Sequence, residues 1–287
     1  MAPTKHTSPP PAKEPAKKKP RVSEDQGKDS VLVAYEKWLR DRGVWWDESL
    51  VQLRSPLRPP QEGDNVPDFL LNEWGIMSLS KTIKKGTKII KVPRRACVGE
   101  DLPALGEGDD TQKDIAELLL KEAAAGESSP LASKLATLKL SAPVPWAWGE
   151  EERKNLAGTE LEEVVRVKLA RLLEEHPKQQ GFREYVDACA AVISHANPWF
   201  GVTVVPFVDM ANHQDDEEGG PHVEFLEEDG HVVGTALRKI PPWSEVYQSY
   251  GALGTADLVY RYGYARQDDV PREQDVVSIG GGGLLKG

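Results

Sequence analysis

Apolar residues recur along this chain with two different periods, and the places where one gives way to the other predict its architecture. Leu32, Tyr35, Trp38 and Leu39 share one helical face, with Glu36, Lys37 and Arg40 turned elsewhere and Gly43 as the C-terminal cap. Between 68 and 93 the period shortens to that of strands, with Ile89, Ile90 and Val92 following a Lys85-Gly86 turn. Helical spacing returns at Ile115, Leu118 and Leu119, behind a Thr111-x-x-Asp114 capping signal and closed by Gly126. It resumes behind a Thr159-x-x-Glu162 capping box, through Val164, Val165, Val167, Leu169, Leu172 and Leu173, until His176-Pro177 stops it. A further helix is predicted from Phe182 to about Ser194, through Tyr185, Val186, Cys189 and Val192.

From Gly201 the pattern is that of strands again. Val202, Val204, Val205 and Phe207 form one apolar run, and 222–237 reads as a hairpin turning on Asp229-Gly230. Glu245 to Ser249 is a further short strand, and Thr255 caps a short helix carrying Leu258, Val259 and Tyr262. Strands that flank a helical insertion predict an α+β fold of short, mixed sheets. The chain divides accordingly into a tail (1–30), a helix with the first strands (31–110), an inserted helical region (111–199), a C-terminal β-rich part (200–270) and a glycine-rich tail (271–287).

Composition changes this picture at the ends. Residues 1–30 hold six prolines and almost no apolar side chains, so burial cannot offset the entropy of ordering them, and they are expected to be disordered. Within them Lys17-Lys18-Lys19-Pro20-Arg21 is a basic cluster of nuclear-import type, or simply a solvated tail, and points to the nucleus or cytoplasm. The chain as a whole is 39% hydrophobic and 29% charged, as in a globular protein with a core. No run approaches the ~20 apolar residues of a bilayer span, and no secretory h-region is present, so no membrane partner is expected. Cys97 and Cys189 stand far apart, which argues against a disulfide scaffold or a thiolate zinc site and suits a reducing compartment. The net charge is −10; the first thirty residues carry seven basic and four acidic groups, leaving −13 on the remainder. That balance disfavours a nucleic-acid groove on the folded part and suits a protein partner with a basic surface.

Candidate chemistry is confined to the C-terminal third. The sequence has no GxGxxG, P-loop, HExxH or GxSxG, and its six histidines form no ligand pattern. Asp209, His213 and His222 could in principle bind a metal, but two short spacings are weak evidence, and none is expected. One segment stands out. In Val205-Pro206-Phe207-Val208-Asp209-Met210-Ala211-Asn212-His213, polar residues cluster where the chain leaves a buried strand, either as a strand-end Asx turn with a structural histidine or as a ligand-binding turn. It is followed by Tyr247-Gln248-Ser249-Tyr250-Gly251 and by Asp257-Leu258-Val259-Tyr260-Arg261-Tyr262-Gly263-Tyr264.

This order, DMANH then a hairpin then EVYQSYG then a helix closing on YGY, resembles the SET-domain protein methyltransferases, and among them the branch typified by the Rubisco large-subunit lysine methyltransferase. Trp74-Gly75-Ile76, Ile83-Lys84-Lys85-Gly86 and Val92-Pro93 resemble that family's opening strands, and 148–159 its inserted helical region, so the likeness spans about 31–270. The resemblance implies a SET-type fold, S-adenosyl-L-methionine as cofactor and methyl transfer to a protein side chain, lysine by default and histidine in at least one relative. It implies that Asn212 and His213 hold the cofactor with Asp209 supporting their turn, and that Asn72, Glu73, Trp74, Gly75, Ser194 and His195 complete that site. Tyr250 would lie beside the transferring methyl, making C–H···O contacts to it, and Tyr262 and Val223 would line the target channel.

The chain departs from the family pattern at four of these positions. Glu73 stands where a first glycine is usual, Asn72 where a relative often has an acidic residue, His195 follows Ser194 where many relatives have arginine, and Val223 replaces an aromatic found in some members. Histidine there lacks the permanent charge and the donor fork of a guanidinium. A non-catalytic SET-fold module that binds a protein partner, and a chain shortened of a substrate-binding domain, are therefore the competing readings. The sequence specifies neither the substrate protein, the degree of methylation nor the oligomeric state.

Overall fold

The computed structural model describes residues 30–54, 74–100, 110–138, 140, 142–176, 181–200, 202–216, 219–266 and 273–275. Asn72, Glu73, the basic cluster at 17–21 and most of both tails lie outside the described residues. The chain opens with helix α1 (Ser30–Asp41), one residue before the expected start. Leu32, Tyr35, Trp38 and Leu39 are buried as their spacing predicts, but Glu36 is also only 5% exposed, so the buried face is wider than the apolar stripe. Gly43 ends the helix at φ +77°, and the Val44 N–H returns to the Leu39 carbonyl at 3.0 Å. Strands β1 (Trp45–Trp46), β2 (Val51–Arg54), β3 (Gly75–Ser78) and β4 (Lys88–Pro93) follow.

The middle of the chain is helical: α2 (Asp110–Ala125), α3 (Ala132–Leu138), α4 (Glu150–Arg153), α5 (Glu160–Glu175) and α6 (Phe182–His195). Both predicted caps are corrected. Thr111 lies inside the first turn of α2. At α5 the Thr159 hydroxyl donates to the Leu156 carbonyl, and the Glu162 carboxylate accepts the Gly158 N–H, one residue early for a reciprocal box. The fully buried Ala188, Ala190 and Ala191 leave α6 the small face on which α2 can lie close. Of the apolar residues assigned to α5, Val164, Val167 and Leu173 are exposed, and Val165 and Leu172 carry the packing. No described helix is long and apolar enough to cross a membrane.

The C-terminal part supplies β5 (Ala196–Asn197), β6 (Thr203–Val204), β7 (Val223–Glu228), β8 (His231–Ala236) and α7 (Thr255–Tyr262). The hairpin β7–β8 turns on Asp229 (φ +48°) and Gly230 (φ +71°), the left-handed pair that a two-residue hairpin requires. It joins β4 and β1 in an antiparallel sheet of order β1-β4-β8-β7, while β2–β3 and β5–β6 form antiparallel pairs. Gly234 is bare because the Phe225 ring lies where its Cβ would be, 2.6 Å away. Three expectations change here. The run from Val202 to Phe207 is a strand only at Thr203–Val204, because Pro206 donates no hydrogen bond and Phe207 turns the chain at φ +73°. Residues 245–249 pair only through single bridges, Met77 with Glu245 and, in parallel, His213 with Gln248. Thr255 is the first residue of α7 rather than its cap, and its N–H donates to Asp275 Oδ1 at 2.6 Å. Residues 273–275 of the predicted flexible tail are thus placed against the start of that helix.

Candidate active site

The polar cluster at 209–213 is built on a buried apolar frame. Val205, Phe207, Val208 and Ala211 are fully buried. The turn at Phe207 is held from α1, whose Tyr35 hydroxyl accepts the Phe207 N–H at 3.1 Å. Beyond it the chain runs parallel to 247–250. The Gln248 N–H donates to the Asn212 carbonyl at 2.8 Å, and the Gln214 N–H donates to the Gln248 carbonyl at 3.0 Å. The buried Gln248 side chain donates to the Val208 and Ala211 carbonyls. Tyr250 completes the pairing: its hydroxyl donates to the Ala211 carbonyl at 3.1 Å.

Tyr250 is stacked from both sides, by the His213 ring at 5.0 Å and the Tyr262 ring at 4.4 Å between centroids. Burial, then the nearby Tyr262, Tyr264, Asp209 and Glu245, pushes its phenol well above the ordinary value of 10.0. Tyr250 is therefore a neutral hydroxyl that donates to a carbonyl, and its oxygen is no general base at neutral pH. Both ring nitrogens of His213 are engaged. Nδ1 accepts the Tyr250 N–H at 3.0 Å, so the ring proton sits on Nε2, 2.9 Å from Asp215 Oδ1. Arg266 donates to the other oxygen of Asp215 at 2.5 Å and to the Leu253 carbonyl. Asp215 is below the ordinary carboxylate value: burial raises it, but Arg266 and His213 outweigh that.

Asn212 and Trp74 meet across the chain. The Asn212 amide donates to Glu245 Oε1 at 2.7 Å and, more weakly, to the Trp74 carbonyl at 3.4 Å, while Glu245 Oε2 accepts the Tyr247 hydroxyl. Gly75 is buried in β3 beside them. The His213 backbone N–H and C=O face away from the Gln248 bridge and bond to no described group. A donor and an acceptor on one residue suit the edge of a nucleobase.

Asp209 does not open onto this surface. It is completely buried, as is Lys134 of α3, whose ammonium lies 2.5 Å from Asp209 Oδ2. His195 Nδ1 approaches the same oxygen at 3.3 Å. Burial lowers the Lys134 ammonium and would raise the carboxyl, but Lys134 and His195 hold Asp209 below its ordinary value. Asp209 therefore anchors the turn from beneath, and His195 reaches it from the partly exposed side. Ser194 instead donates to the Arg261 carbonyl and ties α6 to α7. Val223 lies on a cleft of about 240 Å³, walled also by Trp199, Phe225, Leu237, Gln248 and Ser249.

No family model and no curated protein matches the chain. Solved structures do. The SET domain of LSMT bound to lysine and AdoHcy superposes with a TM-score of 0.59 at 20% identity, over 82% of this chain and 57% of that one. Rubisco LSMT bound to AdoMet, and the same protein bound to sinefungin and monomethyllysine, give TM-scores of 0.63 and 0.64 at 19% and 20% identity, each over 84% of this chain and 57% of theirs. The chain has a SET-type fold. It spans less than two thirds of the length of these structures.

Within the SET fold, the structure gathers Trp74, Gly75, Asn212, His213, Tyr250 and Tyr262 on one side of the 209–213 turn, with Asp209 and His195 beneath it. Sequence reasoning missed Lys134, Glu245, Gln248, Asp215 and Arg266. Glu245 and Gln248 were within reach, since both stand inside EVYQSYG and must place their polar groups somewhere. Lys134 gave no signal, because a lysine in a short polar helix reads as solvated.

Proposed function

We propose that the chain transfers a methyl group from S-adenosylmethionine to the amine of a lysine side chain on a protein. The observation that carries this reading is the Tyr250 arrangement: a neutral phenol, hydrogen-bonded to the Ala211 carbonyl and held between the His213 and Tyr262 rings. The fold supports it, being shared with structures that hold AdoMet or its analogues and, in one case, free lysine.

The residues present fit the cofactor. Asn212 is oriented by Glu245, the unpaired His213 backbone groups suit the adenine edge, and Trp74 and Gly75 border the same side. When bound, the cofactor supplies a sulfonium methyl, which leaves by in-line displacement and needs alignment more than acid or base. The chain's task is to orient and to dry. Tyr250 and the Ala211 carbonyl present oxygens to a polarised methyl, while the stacked rings of His213, Tyr250 and Tyr262 exclude water. An amine entering such walls loses solvation and with it part of its affinity for a proton, which favours the nucleophilic neutral form. The cleft beside Val223 also carries the exposed Glu224, which suits a basic substrate segment.

The test has two steps. S-adenosylhomocysteine at about 100 times its dissociation constant should raise folding stability by ~2.7 kcal/mol, visible as a thermal shift. No shift at millimolar concentration sinks the enzyme reading in favour of a binding module. Labelled methyl transfer to cell-extract proteins should then fall at least 10-fold in Tyr250→Phe while the thermal shift is retained. Equal labelling by both proteins removes Tyr250 from the role given it here.

A further inference from the structure

The surface most at odds with the rest of this acidic protein lies at the turn that precedes Glu245. Trp243 is 58% exposed and holds φ +58°, a backbone conformation in which a bulky side chain is strained and glycine is favoured. Pro241 and Pro242 before it are exposed as well. An indole kept mostly outward at a conformational cost marks a contact surface.

Its surroundings are basic. The Trp243 backbone N–H donates to the Leu79 carbonyl, tying this turn to the segment that carries Lys81, Lys84 and Lys85. Ile83 and Ile240 exchange both backbone hydrogen bonds, a register that puts Lys84 across from Lys239. Like charges directly opposite one another destabilise a pair unless something anionic lies over them. All four lysines are exposed, and none pairs with a carboxylate among the described residues. Acidic groups around the turn are committed elsewhere: Glu245 accepts from Asn212 and Tyr247, and near Leu50, to which Leu79 bonds back, Asp47 accepts from Ser49 and Glu48 from Arg40.

We infer that this turn is a docking surface for single-stranded nucleic acid, with the Trp243 ring as a stacking platform for one base and the four lysines following the phosphates. Aromatic faces take any base, and lysines neutralise phosphates without reading sequence. A net charge of −13 outside the tail had argued against nucleic acid on the folded part, but that sum hides a patch whose sign is reversed. The local positive potential of the four lysines is what would attract a polyanion, within about a Debye length of this face. An acidic peptide would use the lysines and give the indole no partner, and a duplex exposes no base face to stack. This inference stands apart from the methyl-transfer reading.

The experiment is fluorescence anisotropy of a labelled 20-nucleotide RNA of mixed sequence with the full chain, repeated across salt concentrations. Four lysine–phosphate contacts should contribute about −2.8 to the slope of log K against log salt, and changing Lys81, Lys84, Lys85 and Lys239 to Ala should remove that part. Trp243→Gly relieves the strained backbone, so its Tm should equal or exceed that of the wild type, while binding weakens about 5- to 100-fold from loss of one stack. That opposition separates a docking role from a folding role. Binding that survives both sets of changes and is lost when Lys17, Lys18 and Lys19 are replaced assigns it to the tail and overturns the proposal. So does equal affinity for duplex, or binding to anionic vesicles or polyglutamate with none to the RNA.

Discussion

Lys134 and Asp209 set the stakes at the scale of single residues. Two charges with no solvent exposure lie 2.5 Å apart, and neither has water to fall back on. Removing Lys134 leaves the buried carboxylate only His195 at 3.3 Å, at a cost of up to about 3–5 kcal/mol, whereas removing both charges together is often close to neutral. Lys134→Met should therefore lower the unfolding free energy by about that amount in urea titration, and Lys134→Met with Asp209→Asn should recover most of the loss. If the two changes add instead of cancelling, the pair is not the buried unit described above. Asp215 and Arg266 act on His213 in a different way, through the position of one proton. The Tyr250 N–H on Nδ1 and Asp215 on Nε2 together favour the neutral ring that carries its hydrogen on Nε2. Nitrogen-15 NMR of the imidazole should show that tautomer in the wild type. Asp215→Leu should give a mixture, and Arg266→Lys should retain the single form with its charge intact. A single tautomer in all three would mean that Tyr250 alone fixes the ring.

At the scale of elements, α7 is the piece that brings Tyr262 against Tyr250, and it is stopped by Gly263. That glycine sits at φ +77°, and a Cβ there would come within 2.4 Å of the Pro143 carbonyl oxygen. Gly230 in the β7–β8 turn has a similar φ of +71° but open space around it. Alanine costs about 1–2 kcal/mol for the left-handed backbone at either site, and only Gly263→Ala adds a clash with a backbone that cannot swing away. Gly263→Ala should thus lower Tm clearly more than Gly230→Ala and should also reduce methyl transfer by moving Tyr262. Equal shifts would show that the Pro143 loop yields. The two glycines also mark what was legible beforehand. Asp229-Gly230 between alternating residues identifies a hairpin from local chemistry alone. The partner of Gly263, a proline 120 positions earlier in the inserted region, leaves no trace in a window of neighbours. Segment 245–249 shows the same limit, since β-like composition cannot tell a ladder strand from a stretch held by single bridges and by the Gln248 side chain.

For the molecule as a whole, the α+β order and the turn bearing Asn212 and His213 could be read in advance because they rest on period and on one compact motif. The second half of the site could not, because it is assembled by packing: Lys134 arrives from the inserted helices, Tyr35 from α1 and Arg266 from beyond α7. The same assembly makes stability depend on pH in three separate steps. Burial, helped by Arg238, holds His222 below its ordinary value, so its contribution is complete above pH ~6.5 and is lost as pH falls through the lower folded value. Asp209 and Asp215 are held below the carboxylate range, so theirs is complete above pH ~4 and is lost as they take up protons beneath it. Buried Tyr35 and Tyr250 are held above theirs, so the folded state is favoured below pH ~10 and loses that advantage as unfolded phenols ionise. Tm measured from pH 3 to 11 should accordingly be flat near 7–8. It should decline gently below about 6.5, steeply below about 4, and again above about 10. His222→Gln should erase the gentle decline and leave the other two in place. If it leaves the profile unchanged, the proton taken up near neutrality belongs to another group.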